Sequence, residues 1–202
     1  IAYPLLFLPF VSRASEVIGK KIFLQLDNKK FLLNFNNNIY SSFLKDEIIE
    51  IAVVSENGEV LLDTLIKHPS RAEISKEARS VHGIKKRHLK KSPSWDEIYP
   101  QFLEAVDGKN ILTYNASFDQ KLINQTCDAW DLPKPSSKYL CVMKAYAAHV
   151  GKYKSDEYRT QYKWWKLADA IFLYPECAFG DTPHRALVDC EQTRLLTKKL
   201  KN

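Results

Sequence analysis

The sequence predicts an α/β domain: a mixed β-sheet, three antiparallel strands followed by parallel ones, with α-helices on its flanks. Three observations lead there. β-rich apolar runs fill the N-terminal part of the chain, and Asn57-Gly58 between two of them is a strong hairpin signal. From Ser75 onward the apolar period turns helical, and single short strands interrupt the helices. With 202 residues the chain can bury a complete single-domain core and is short for two domains.

Taken in order, residues 1–21 read as an N-terminal extension and 22–202 as the domain. Ala2–Val11 (AYPLLFLPFV) is apolar, but Pro4 and Pro9 interrupt it, it is too short to cross a bilayer, and it lacks the basic leader of a secretory signal. A segment packed on the domain surface is expected. The chain opens on Ile1 rather than Met, as a fragment or a processed product would. Residues 22–26 (IFLQL) and 31–35 (FLLNF) read as strands around the turn-prone Asp27-Asn28-Lys29-Lys30. The hairpin strands are 48–54 (IIEIAVV) and 60–66 (VLLDTLI).

Residues 75–81 and 94–106 are predicted helices. In the second, Trp95, Ile98, Phe102, Leu103 and Val106 make an apolar face, and Ser94 can cap its start. Residues 111–114 (ILTY) form a short buried strand. Helix resumes over 118–130, with Phe118, Leu122 and Ile123 on one side, and again over 140–149 and 164–172. The last helix spans 185–200, with Leu187, Leu195, Leu196 and Leu200 apolar. No internal repeat or low-complexity segment is present.

Composition narrows the class. Hydrophobic residues at 45% and charged residues at 27% are those of an ordinary globular protein and argue against a membrane protein. A net charge of +6 suits a polyanionic partner such as nucleic acid, because bound lysine and arginine release counterions from phosphates. Cys127, Cys141, Cys177 and Cys190 are scattered without a C-x-x-C pair, which speaks against zinc and against a disulfide framework. They read as small apolar core residues in a reducing, intracellular (cytoplasmic) compartment.

Two segments carry chemistry. Tyr114-Asn115-Ala116-Ser117-Phe118-Asp119 takes an acid from a buried strand into the first turn of a helix. His184-Arg185-Ala186-Leu187-Val188-Asp189 sets a histidine in a loop and an aspartate one turn into the final helix. Either acid alone could simply complement a helix dipole, with His184 as a surface residue. Their joint occurrence with these flanks points further.

The two segments resemble the second and third motifs of the DnaQ-like DEDDh exonucleases, members of the ribonuclease H-like superfamily: N-A-x-F-D at a strand-to-helix junction and H-R-A-x-x-D opening the C-terminal helix. Val81-His82-Gly83-Ile84, followed by Leu89 and Pro93, is similar to the family's segment before the second motif. Tyr162-Lys163-Trp164 through Leu167-Ala168-Asp169-Ala170 is similar to that before the third. The resemblance spans roughly residues 31–200, and Tyr114 stands where the family commonly has histidine. It implies a ribonuclease H-like sheet and a 3′→5′ exonuclease using Mg²⁺ or Mn²⁺ at a two-metal site. Asp119 and Asp189 would be metal ligands, His184 the general base, and Asn115 and His82 substrate contacts. In such chemistry carboxylates hold two ions about 4 Å apart, one activating water and one stabilising the leaving oxygen; an imidazole titrates near neutral pH and can take the proton of the water.

The family's first motif, D-x-E on the first strand, has two candidates. Asn34-Phe35-Asn36 replaces both acids with amides, whereas Gln25-Leu26-Asp27 has one amide and one shortened acid. Spacing favours Asn34 and Asn36, because the run from there to Ile48 is a compact strand-turn-strand, although Ile39 stands near the usual glycine. On that assignment Gln25 and Asp27 lie on a strand outside the site. Losing two carboxylates takes the site from about −4 to about −2 opposite two dications, a loss of several kcal/mol even at an effective dielectric near 20. Asp46, Glu47 or Glu50 could compensate, but Glu50 at a strand centre reads as structural.

Three functions fit these residues. One is an active metal-dependent exonuclease on the 3′ end of DNA or RNA, with weakened activity. The second is an inactive exonuclease-fold module that binds nucleic acid or a protein partner, a polymerase among them. The third is an engineered inactive variant, or a sequence altered near its N-terminus. The stretch Tyr158–Lys166 (YRTQYKWWK) could stack on a single strand, but tryptophans in such a stretch more often serve packing.

Overall fold

The structure, a computed structural model, describes residues 21–29, 47–67, 74, 76–152, 162–181 and 184–201. Among these the chain forms one five-stranded mixed sheet of order β3-β2-β1-β4-β5. The central strand is β1 (Lys21–Lys29), antiparallel to β2 (Glu47–Ser55) and parallel to β4 (Asn110–Thr113). β3 (Val60–Leu65) closes one edge as the hairpin partner of β2. Its turn needs a positive φ, which Gly58 supplies at +96°. Three antiparallel strands followed by parallel ones is the predicted architecture.

The position of β1 corrects one expectation. The strand lying between β2 and β4 is 21–29, which carries Gln25 and Asp27. Gln25 is in register with Ala52, and Asp27 with Glu50. No turn forms over 27–29, where the expected turn begins; pairing there extends, across a register slip, to Lys29↔Glu47. Asn34 and Asn36 lie outside the described residues, as do 1–20.

A bulge in β2 shapes the edge near the site. The register slips between Asp27↔Glu50 and Asn28↔Ile48, leaving Ile49 as the extra residue. By strict alternation Ile48 would share a face with Glu50 and Ala52. Instead it packs with Ile51 and Val53, while Ile49 meets Ile74, Ile84 and Leu89. Ile74 and Ile84 flank the short helix α1 (Lys76–His82), and the next helix, α2 (Lys86–Leu89), is thereby seated on the sheet through Leu89.

Helices cover both faces. On one, α3 (Trp95–Val106) and α4 (Ala116–Ala129) cover Ile51, Val53 and Ile111 with Trp95, Phe102, Leu122 and Ile123. On the other, α5 (Val142–Val150), α6 (Leu167–Leu173) and α7 (Ala186–Lys201) bury Ala52, Val54, Leu112 and Tyr114 under Tyr146, Ala170, Cys190 and Leu196. Ser94 starts α3 as expected: the Glu97 carboxylate accepts its backbone N–H at 2.7 Å and its hydroxyl at 2.9 Å.

Three local expectations change. Leu140 and Cys141 belong to β5 (Lys138–Cys141), since parallel pairing with Leu112 and Thr113 takes up their backbone, and helix begins only at Val142. Trp164–Lys166 are non-helical, and α6 begins at Leu167. Phe118 is exposed rather than on the buried side of α4. No helix of the described residues is long and apolar enough to cross a membrane.

Candidate active site

Topology brings two helix N-termini to one edge of the sheet. α4 starts directly after the C-terminal end of β4, which runs parallel to β1. The start of α7 is fastened to Glu50, whose register partner Asp27 stands near the C-terminal end of β1. In α/β sheets that edge is where ligands bind, because helix N-termini and loops converge there. Asp119 and Asp189 hold equivalent places, each the fourth residue of its helix. The Asp119 carboxylate is near enough to α7 to raise the pKa of the Cys190 thiol, though burial is the larger cause.

Asp119 is 1% exposed. Its Oδ2 accepts the Thr113 hydroxyl at 2.5 Å, so the last residue of β4 orients the acid that begins α4. Asn115, the residue preceding α4, accepts the Ser117 hydroxyl on its own side-chain oxygen at 3.1 Å. The buried Tyr114 donates its hydroxyl to the Trp165 carbonyl at 2.9 Å. That bond fixes the segment before α6 against the end of β4, a job the sequence did not reveal.

Glu50 organises the other half. It is 2% exposed, and its Oε1 accepts Nε and Nη2 of Arg185 at 2.8 and 2.6 Å. Its Oε2 accepts the Ala186 backbone N–H at 3.0 Å, which satisfies one of the orphan donors at the start of α7. Glu50 is therefore structural, as its strand-centre position suggested. Partial desolvation raises the pKa of Asp63, on β3 opposite Ala52; the Glu50 charge adds to this and Arg185 opposes it.

His184 is exposed and held in the left-handed region at φ +63°, which non-glycine residues rarely adopt. Its backbone N–H donates to Asp189 Oδ1 at 3.3 Å. Desolvation raises the pKa of Asp189, and Glu50 adds to the rise, while the His184 side chain and backbone N–H pull it down. His82 is buried, and its Nδ1 accepts the Ile84 backbone N–H at 2.7 Å, shaping the Gly83 turn. It also lines a cavity of about 470 Å³, with Gly83, Ile84, His88, Asp181 and Arg185.

Oxygen donors of this kind suit Mg²⁺ or Mn²⁺. Among the described residues no three His, Cys, Asp or Glu side chains gather closely enough to hold an ion. Sequence reasoning missed the roles of Arg185, Thr113 and Asp63. Arg185 had a signal, standing between His184 and Ala186 with a lone acid buried in an apolar strand to pair with. Of the aromatic stretch, 158–161 lie outside the described residues. Trp165 packs, with Lys163 at 4.6 Å and Lys152 at 5.7 Å from its ring, whereas Trp164 is exposed.

Comparison with known proteins bears on the family and the fold. The RNase T family profile, described as exonuclease, matches residues 42–196. An uncharacterised exonuclease of Escherichia phage 186, CP81, is 32% identical over 156 residues, 73% of this chain and 76% of that protein. The PolC-type DNA polymerase III of Thermotoga maritima is 40% identical over 81 residues, 39% of this chain but 6% of that protein. Among solved structures, the nuclease domain of 3′hExo, a DEDDh family member bound to rAMP, superposes with a TM-score of 0.64 at 16% identity, over 90% of this chain and 92% of that one. Exonuclease X in complex with 5′ overhanging duplex DNA gives 0.58 at 19% identity, over 89% and 90%. The chain belongs to the RNase T-type exonuclease family.

Proposed function

We propose that this chain is a divalent-metal-dependent 3′→5′ exonuclease acting on the 3′ end of DNA, with activity weakened by an incomplete first motif. The observation that supports the reading is the placing of the starts of α4 and α7, which carry Asp119 and Asp189 in their first turns, with the His184 N–H donating to Asp189. The phage relative supports the nuclease class, and the polymerase relative favours DNA over RNA. Asp119 and Asp189 would hold the metal, and Mg²⁺ or Mn²⁺ would supply water activation and leaving-group stabilisation. His184, exposed at the mouth of the site, would take the proton of the attacking water. Asn115 and His82 would contact the terminal nucleotide. The backbone position of Asp27, opposite Glu50, makes Gln25 and Asp27 the first-motif pair on this reading.

The second reading, a nuclease-fold module that binds without cutting, is favoured by the amide of Gln25 on the central strand, a side chain that brings no charge to a metal. One experiment separates the two. A 5′-labelled single strand incubated with rising Mn²⁺ should yield a ladder of products shortened from the 3′ end, abolished by chelator. Retention of full-length strand at every metal concentration, with binding intact, would overturn cleavage. Immediate release of the labelled nucleotide would overturn the direction.

A further inference from the structure

Residues 85–91 (KKRHLKK) are basic at every position except Leu89. Leu89 is the anchor: with Ile84 it is buried against Ile49 at the β2 bulge, which holds α2 on the sheet and turns the cations outward. Lys85, Lys86, Arg87, His88, Lys90 and Lys91 are all exposed. Among the described residues no acid forms an ion pair with Lys85, Lys90 or Lys91. The C-terminal end of α7 is different: Lys199 pairs with Glu176 at 3.0 Å, and Lys201 with Glu56 at 2.8 Å. The next acids along the chain are Asp96 and Glu97, in the first turn of α3, and Glu97 is folded back onto Ser94.

His88 on α2 and Arg185 before α7 line the same cavity, which Asp181 lines as well. We propose that α2 and its flanks are a secondary track for single-stranded DNA, binding the phosphates of nucleotides beyond those seated at the catalytic edge. The inference rests on the exonuclease reading for the direction of the track. Whatever that direction, exposed ammonium groups match a phosphodiester backbone, whose counterions they displace.

The test uses the full chain in chelator, where nothing is cut, with a fluorescent single-stranded DNA of about 20 nucleotides and a trinucleotide as probes. Replacing Lys85, Lys90 and Lys91 together by glutamine removes charge from exposed positions. The long strand should then bind roughly tenfold more weakly at low salt, and the salt slope of log K should fall by about 2 if each lysine meets a phosphate. Trinucleotide binding should be unchanged, and the corresponding arginine triple variant should restore the slope. An unchanged slope, or equal losses for both probes, overturns the track. An RNA strand of the same length runs in parallel; a loss confined to RNA reassigns the strip and overturns the DNA proposal. Failure of the unmodified chain to bind any strand would overturn the exonuclease reading as well. Normal binding with no effect of the lysine changes would sink the track alone.

Discussion

Glu50 and Arg185 stand 135 positions apart in sequence, yet the guanidinium grips one carboxylate oxygen through two nitrogens while the other oxygen takes the Ala186 N–H. The bond ties the centre of β2 to the root of α7. His184 and Asp189 are thus placed by a strand acid that would itself make no contact with substrate. Arg185 is 41% exposed at its side chain and Glu50 only 3%. Removing the cation therefore leaves a buried carboxylate uncompensated. Arg185→Ala should cost roughly 2–4 kcal/mol. Glu50→Gln with Arg185→Ala should cost less than the sum of the single changes, as read by denaturant unfolding. Additive losses would show that the pair does not act as a unit.

His184 makes a separable prediction. His184→Ala should lower cleavage by about a hundredfold or more, as expected on loss of a general base, with DNA binding retained. Because its φ of +63° suits glycine, His184→Gly should be equally inactive but no less stable than the alanine variant. Thermal melting beside the ladder assay reads both. An alanine variant clearly more stable than glycine would show that the backbone does not hold this conformation.

The central place of β1 decides which first-motif repair should work. Gln25→Asp with Asp27→Glu should raise cleavage by about a hundredfold, equivalent to roughly 2.7 kcal/mol of barrier. Asn34→Asp with Asn36→Glu should do little. If only the second pair responds, the spacing argument for Asn34 and Asn36 is right. If neither responds, the binding module is the better reading.

Metal binding gives a readout independent of turnover. Mn²⁺ titrated by calorimetry should bind weakly, and Asp119→Asn or Asp189→Asn should abolish the heat. The Gln25→Asp, Asp27→Glu chain should bind at least about tenfold more tightly, since added carboxylates restore Coulomb attraction to the ion. Unaltered binding in the Asp119 and Asp189 variants would place the metal elsewhere.

The thiols supply a pH test. Burial raises the Cys127 thiol to about 11, and burial likewise raises Cys177 and Cys190. At pH 8 about one Cys127 in a thousand would be thiolate. A thiol reagent should therefore modify the partly exposed Cys141 first in the native chain, and all four only after denaturation. These raised values also set a sign for stability. Below the unfolded thiol pKa of about 8.5 nothing is lost; above it the unfolded chain sheds protons that the folded chain keeps. Stability should fall from there toward pH 11, more gently in Cys127→Ser once its own packing cost is subtracted.

The sequence by itself determined the elements whose signals are local. Asn57-Gly58 demanded a positive φ, Ser94 and Glu97 are three residues apart, and the periodicity of 95–106 set which side faces inward. In α7, by contrast, the buried side is Ala186, Val188, Cys190, Thr193 and Leu196 rather than Leu187, Leu195 and Leu200. The site's two motifs were legible for the same reason, since Asp119 and Asp189 follow a strand end and a loop by short fixed intervals. Tertiary structure decided what depends on partners distant in the chain. β5 is a strand because Leu112 and Thr113 pair beside Leu140 and Cys141, a fact absent from the run KYLC itself. Strand 21–29 holds the centre because it can satisfy β2 on one side and β4 on the other, which no spacing argument weighs. Arg185 acquired its role from Glu50, because a carboxylate buried in a strand must find its cation wherever the fold brings one.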